Sequence, residues 1–311
     1  MKTLRSVTAA SLVLLAAWQA AAENVRLVAA TRTPHFLIRH DPELKPTAVV
    51  IGQDCEYWLA EIARRLDLRD RPASPIPVLL YRNQGEFRRA TGHDRPGEVL
   101  GRASSRGLVE LDASGIFAPA EQIAGHEITH VVIFRILGPR SDVLPLWVNE
   151  GTAKFMTEDW DELDSTALAN AITEGTLIPL SSLARTFPPD ERETLAYAES
   201  SSAVTFFVRR YGERALVRLI HATARTGSFE SAMREVTGGS ASEFERRWLV
   251  SLQGRYGSPR IMRLVGIAGL LAMPLIAIAA YLALRRRRRR IVEQYDLEEW
   301  EEANWRDWGG G

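Results

Sequence analysis

Residues 264–284 read LVGIAGLLAMPLIAIAAYLAL, about twenty residues without a charge, which is enough to cross a bilayer as a helix. Pro274 near the middle is tolerated in such helices. Six consecutive arginines, Arg285 to Arg290, follow without a break. The excess of positive charge places that end in the cytoplasm. A buried core helix is the competing reading, but a helix apolar on every face beside six guanidinium groups fits a core poorly. The chain is therefore expected to divide here, with one transmembrane helix at 264–284 and a tail at 285–311.

The opposite end carries a second address. Lys2 and Arg5 precede a short apolar stretch, and Ala20, Ala21 and Ala22 supply small residues where a signal peptidase cuts. This pattern predicts a secretory signal at 1–22, with an uncleaved anchor as the alternative. Together the two ends predict a single-pass membrane protein whose domain at 23–257 faces the periplasm or the exterior. The tail after the arginines is acidic and carries Trp300, Trp305 and Trp308. It reads either as a docking motif for a cytoplasmic partner or as a solvated segment at the membrane surface. Formal net charge is zero, which argues against nucleic acid as a partner. The single cysteine, Cys55, can form no intramolecular disulfide and reads as a small buried hydrophobe.

Within the exported domain the front half alternates strand and helix signals. HFLIRHD, IPVLLYRN and GLVELDA read as strands, and the run from Thr47 to Leu68 has helical spacing through Val50, Cys55, Trp58, Leu59, Ile62 and Leu66. A short helix ends at Gly92, and 93–107, rich in Gly, Pro and Ser, reads as loop. From Pro119 onward the chain reads as helices, with Gly212, Gly227 and Gly238 as stops. The expected class is α+β, a small mixed sheet and helix layer followed by an all-helical lobe.

At the junction stands GHEITH, residues 125–130. In a helix, positions i and i+4 share a face, so His126 and His130 can point at one metal ion. A structural histidine pair is the competing reading. Zinc sites that do chemistry use three protein ligands and leave one place for water. Glu150, in LWVNEGTAKF, is the candidate third ligand, provided a second helix returns past the first. Its alternative is a surface ion pair with Lys154 four residues on. Gly151 is expected to let the two helices pack closely. Glu127 lies one step round the helix from His126, suited to a general base for a water at the metal rather than to ligation. Tyr197 is the candidate oxyanion donor, with a core aromatic as its alternative. His35, His40 and His93 read as structural, and His221 as a surface or core histidine.

HEITH together with WVNEGTAKF resembles the gluzincin metallopeptidases, specifically the peptidase-MA-like group, whose second helix is similar to that of the membrane-alanyl-type aminopeptidases. The resemblance implies a thermolysin-like zincin fold. It also implies Zn2+ held by His126, His130 and Glu150, Glu127 as base, and Tyr197 at the oxyanion. The aminopeptidases of that type carry a strand that grips a free N-terminus, whereas GLVEL here has Glu110 without the following Asn. The strand is instead expected to accept an extended substrate along its edge. Lys154 stands where thermolysin-type enzymes place an acid that orients a ligand histidine, so another residue must do so.

The function expected is a membrane-anchored zinc metallopeptidase acting on peptide or protein substrates. The alternative is a non-catalytic zincin-fold binding or sensor ectodomain coupled to the cytoplasmic tail.

Overall fold

The computed structural model describes residues 27–68, 74–92, 100–115, 119–189 and 191–256. The chain divides into two units, Met1–Ser251 and Leu252–Gly311, and the site lies in the first. The expected signal, membrane span, arginine run, acidic tail and His93 fall outside the described residues. Among the described residues no helix is long and apolar enough to cross a membrane.

The fold is α+β, as expected. Five strands, β1 (Ala29–Arg32), β2 (Phe36–His40), β3 (Ile76–Tyr81), β4 (Gly101–Ala103) and β5 (Val109–Asp112), form one sheet in the order β1-β2-β3-β5-β4. β2, β3 and β5 run parallel, while β1 and β4 are antiparallel strands at the two edges. Burial tracks that order. In β2 the apolar Phe36 and Ile38 are buried and alternate with half-buried residues. In β3 every residue but Pro77 is buried, because a central strand is covered on both faces.

Helix α1 (Lys45–Arg65) crosses from β2 to β3 and buries Ala48, Ile51, Cys55, Leu59 and Ile62, one stripe at helical spacing. Cys55 is the buried hydrophobe expected of it. α1 packs on α3 (Ala120–Leu137), the helix that carries the histidine motif, where Gly125 admits the Trp58 ring. The opposite face of the sheet is closed by α2 (Gln84–Thr91), through a cluster of Leu27, Leu79, Tyr81 and Phe87.

After α3 come α4 (Leu146–Met156), α5 (Glu162–Glu174), α6 (Glu191–Tyr211), α7 (Glu213–Thr226), α8 (Phe229–Thr237) and α9 (Ala241–Tyr256). Three of the helix ends fall at Gly212, Gly227 and Gly238, all with positive φ. Trp147 of α4 stacks on Phe244 at 5.9 Å and meets Phe229 edge-on at 6.0 Å, which fixes the start of α4 in the helical core.

The structure differs from the sequence expectation at three places. β4 lies within 93–107, expected as loop, and β1 occupies 29–32, where no strand is expected. Both strands are very short and offer no apolar alternation, so their pairing with neighbours distant in sequence decides their state. Gly151 does permit a close approach, but to α6 rather than to α3. A Cβ there would overlap the Ser200 carbonyl and lie 2.7 Å from Val204.

One buried carboxyl group holds the segment between α5 and α6. Glu199 on α6 is fully buried, and its Oε1 accepts the Ile178 N–H at 2.9 Å. Its Oε2 has no partner, and burial pushes its pKa up to about 8. The folded chain then keeps a proton that the unfolded chain has released. Stability contributed below about pH 4.5 is lost as the pH rises towards 8. Glu199→Gln mimics the protonated form at every pH. It should melt close to the wild type at pH 5 and roughly 4–8 °C above it at pH 8. Parallel melting curves across that range would remove Glu199 as the source of the slope.

Candidate metal centre

α3 is a buried helix whose sides face α1, the sheet and α4. Its one-turn spacing puts the rings of His126 and His130 together, with centroids 4.8 Å apart. The turn through 138–145 brings α4 back against α3, and Glu150 faces the rings instead of solvent. Glu150 Oε2 stands 3.2 Å from His126 Nε2 and 3.4 Å from His130 Nε2. One donor atom from each residue falls within 4.8 Å of the others. Donors about 2.1 Å from a tetrahedral zinc lie about 3.4 Å apart, and the two Glu150–histidine separations match that spacing.

Lys154 does not compete for Glu150. Its ammonium pairs with Asp159 at 3.1 Å and Asp164 at 3.0 Å. Burial would lower its pKa, but the two carboxylates raise it. The orienting residue that the sequence left unnamed is Asn149. Its Oδ1 lies 3.1 Å from His130 Nδ1, which leaves Nε2 turned to Glu150. It stands directly before Glu150 in WVNEG, and that adjacency was the available signal. Phe134, one turn beyond His130, stacks on its ring at 6.2 Å.

The electrostatics follow from burying these groups together. Burial alone would lower the His130 pKa, yet the Glu150 carboxylate raises it to about 9. Burial would raise Glu150, but the two histidines hold it well below the usual carboxylate range. For Glu127, burial dominates and pushes the pKa up against the pull of His130 and His126. Tyr197 on α6 is within reach of the same charges. Burial, then Glu150, Glu193 and Glu127, raise its phenol well above the ordinary value, and its ring meets Phe187 edge-on at 5.0 Å.

The strand at this edge of the sheet is β4, not β5. β5 lies between β3 and β4, so GLVEL cannot take an added strand. Glu110 accepts from Tyr81 Oη at 3.0 Å and pairs with Arg102. Gly101 is next to Glu127, and alternation turns Arg102 and its partner Glu110 to the other face. Glu110 therefore has no part in the centre.

The remaining histidines are structural among the described residues. His35 pairs with Glu56 at 2.7 Å, His40 with Thr31 at 2.9 Å, and His221 with the Leu66 carbonyl at 2.8 Å.

A half-buried and a buried imidazole with a carboxylate from the following helix form a donor set that could hold a metal ion. Residues 109–254 match the family model of the Peptidase MA superfamily. No curated protein matches the chain. Among solved structures, an M1 zinc metallopeptidase from Deinococcus radiodurans is similar at 16% identity and a TM-score of 0.41, covering 71% of this chain and 50% of its own. A mutant of an M1 zinc metallopeptidase from the same organism is similar at 15% identity and a TM-score of 0.40, covering 71% and 51%. The chain spans about half the length of those enzymes.

Proposed function

We propose that the chain is a zinc metallopeptidase that hydrolyses peptide bonds, with His126, His130 and Glu150 as the metal ligands. The observation that carries this reading is the convergence of three donors within 4.8 Å, with Glu127 on the same helix as the two histidines. When bound, zinc acidifies water to a pKa of about 7 and polarises a substrate carbonyl.

The chain's own residues do the rest. Glu127 receives the proton of the attacking water on its carboxylate and delivers it to the departing amine. Burial favours the protonated form of this acid, which suits the second step. Asn149 keeps the His130 ring in the ligating tautomer. Tyr197, its phenol kept protonated by burial, donates to the oxyanion. The fold around the centre is read as thermolysin-like on the strength of the motif. The exported, single-span topology rests on the runs at 1–22 and 264–290.

The full-length chain, incubated with a mixed peptide library, should cleave when zinc-loaded, stop when chelated, and recover on re-addition of zinc. Cleavage indifferent to the chelator would count against this function. Tight zinc binding without cleavage would favour the non-catalytic binding or sensor reading.

A further inference from the structure

The glutamate side chain of Glu127 has three torsions to settle. What settles them lies on β4. Gly101 faces Glu127 across the strand–helix gap. A Cβ at 101 would stand 2.8 Å from Glu127 Cγ, 2.8 Å from Glu127 Oε1 and 2.6 Å from Ile123 Cγ2. Those separations are shorter than any side chain tolerates, and Gly101 is not among the positive-φ glycines, so space rather than backbone conformation requires the glycine.

The second contact is electrostatic. The backbone N–H of Ala103, two residues along the same strand, favours the charged form of Glu127. The ladder explains why that N–H is available. The Ser104 N–H donates to the Leu108 carbonyl, and the Asp112 N–H to the Leu100 carbonyl. In an antiparallel pair these alternate, so the backbone groups of Gly101 and Ala103 face the open edge of the sheet. An unpaired edge donor and a missing side chain therefore meet the same carboxylate.

We propose that Gly101 is a positioning residue for the base, and that β4 sets the Glu127 carboxylate through the space at Gly101 and the N–H of Ala103. This rests on the reading of Glu127 as the general base. It goes beyond the family match, which begins at residue 109 and leaves β4 outside.

The test is Gly101→Ala in the full-length chain, with two readouts. In the zinc-loaded protein, kcat on a cleaved peptide should fall roughly a hundredfold, with KM and zinc content little changed, because a displacement of about 1 Å in a reacting group has that effect. Ile123→Ala separates the two clashes. If the base is what moves, removing Ile123 in the Gly101→Ala background does not restore kcat. Full restoration would make the residue a packing glycine and overturn the proposal.

The second readout needs no turnover. In the zinc-free protein Gly101→Ala should lower Tm by roughly 3–8 °C. In a Glu127→Ala background the same substitution should cost less than half as much. An equal loss in both backgrounds would show that position 101 does not bear on Glu127, and would sink the proposal. If zinc-loaded wild type cleaves no peptide while the Tm coupling is present, the peptidase reading fails and the contact stands.

Discussion

Glu127→Gln is expected to keep one zinc per chain and to lose about a thousandfold in kcat, within the range of 10²–10⁴ for a positioned acid–base group. Glutamine keeps the shape and the carbonyl that can accept from the Ala103 N–H, so the strand contact survives the change. What disappears is an oxygen able to take up a proton and release it. The three donors His126, His130 and Glu150 are untouched, and metal content measured on the same sample checks that. Turnover at the wild-type rate would remove Glu127 from the mechanism. Zinc lost together with activity would point to ligation, a role that the His126–His130–Glu150 cluster leaves to others.

His130→Ala should act one step earlier and abolish stoichiometric zinc. His130 Nε2 lies 3.4 Å from Glu150 Oε2, and no other described side chain joins the three donors of the cluster. Its loss also strips Glu150 of one of the two histidines that hold its pKa down and leaves Asn149 Oδ1 without the imidazole it orients. At a thousandfold excess of zinc over its Kd, the wild type should gain about 4 kcal/mol of stability, or roughly 8–16 °C in Tm. The variant should gain none of this. Metal content by elemental analysis after dialysis is the direct check. One zinc retained per chain would overturn the ligand assignment, whatever the activity.

The parts of this centre that could be read in the sequence are those written within one helix turn or one residue of each other. His126 and His130 share a face because of helix periodicity alone. Glu150 was legible because Gly138 and Pro139 end one helix and Trp147 and Val148 anchor the next. Asn149 was missed although it adjoins Glu150, since its role depends on which ring nitrogen faces it. β4 could not be found from local pattern, because three residues beginning with glycine carry no periodicity and their state is decided by β5. The same limit explains the misplaced edge strand. GLVEL has the composition of a strand, but whether a strand lies inside a sheet or at its rim is a property of the neighbours. Gly151 shows the limit in another form, since a missing side chain announces that something is close without saying what.

The contact at Gly151 ties two pieces of the centre that are far apart in sequence. The helix bearing Glu150 rests directly against the main chain of the helix bearing Tyr197, with no side chain between them to act as a cushion. A shift of either helix at that point meets the other, so the positions of Glu150 and Tyr197 are linked through this contact. An alteration anywhere along 191–211 that displaces that backbone will be transmitted to the metal-binding geometry by contact alone.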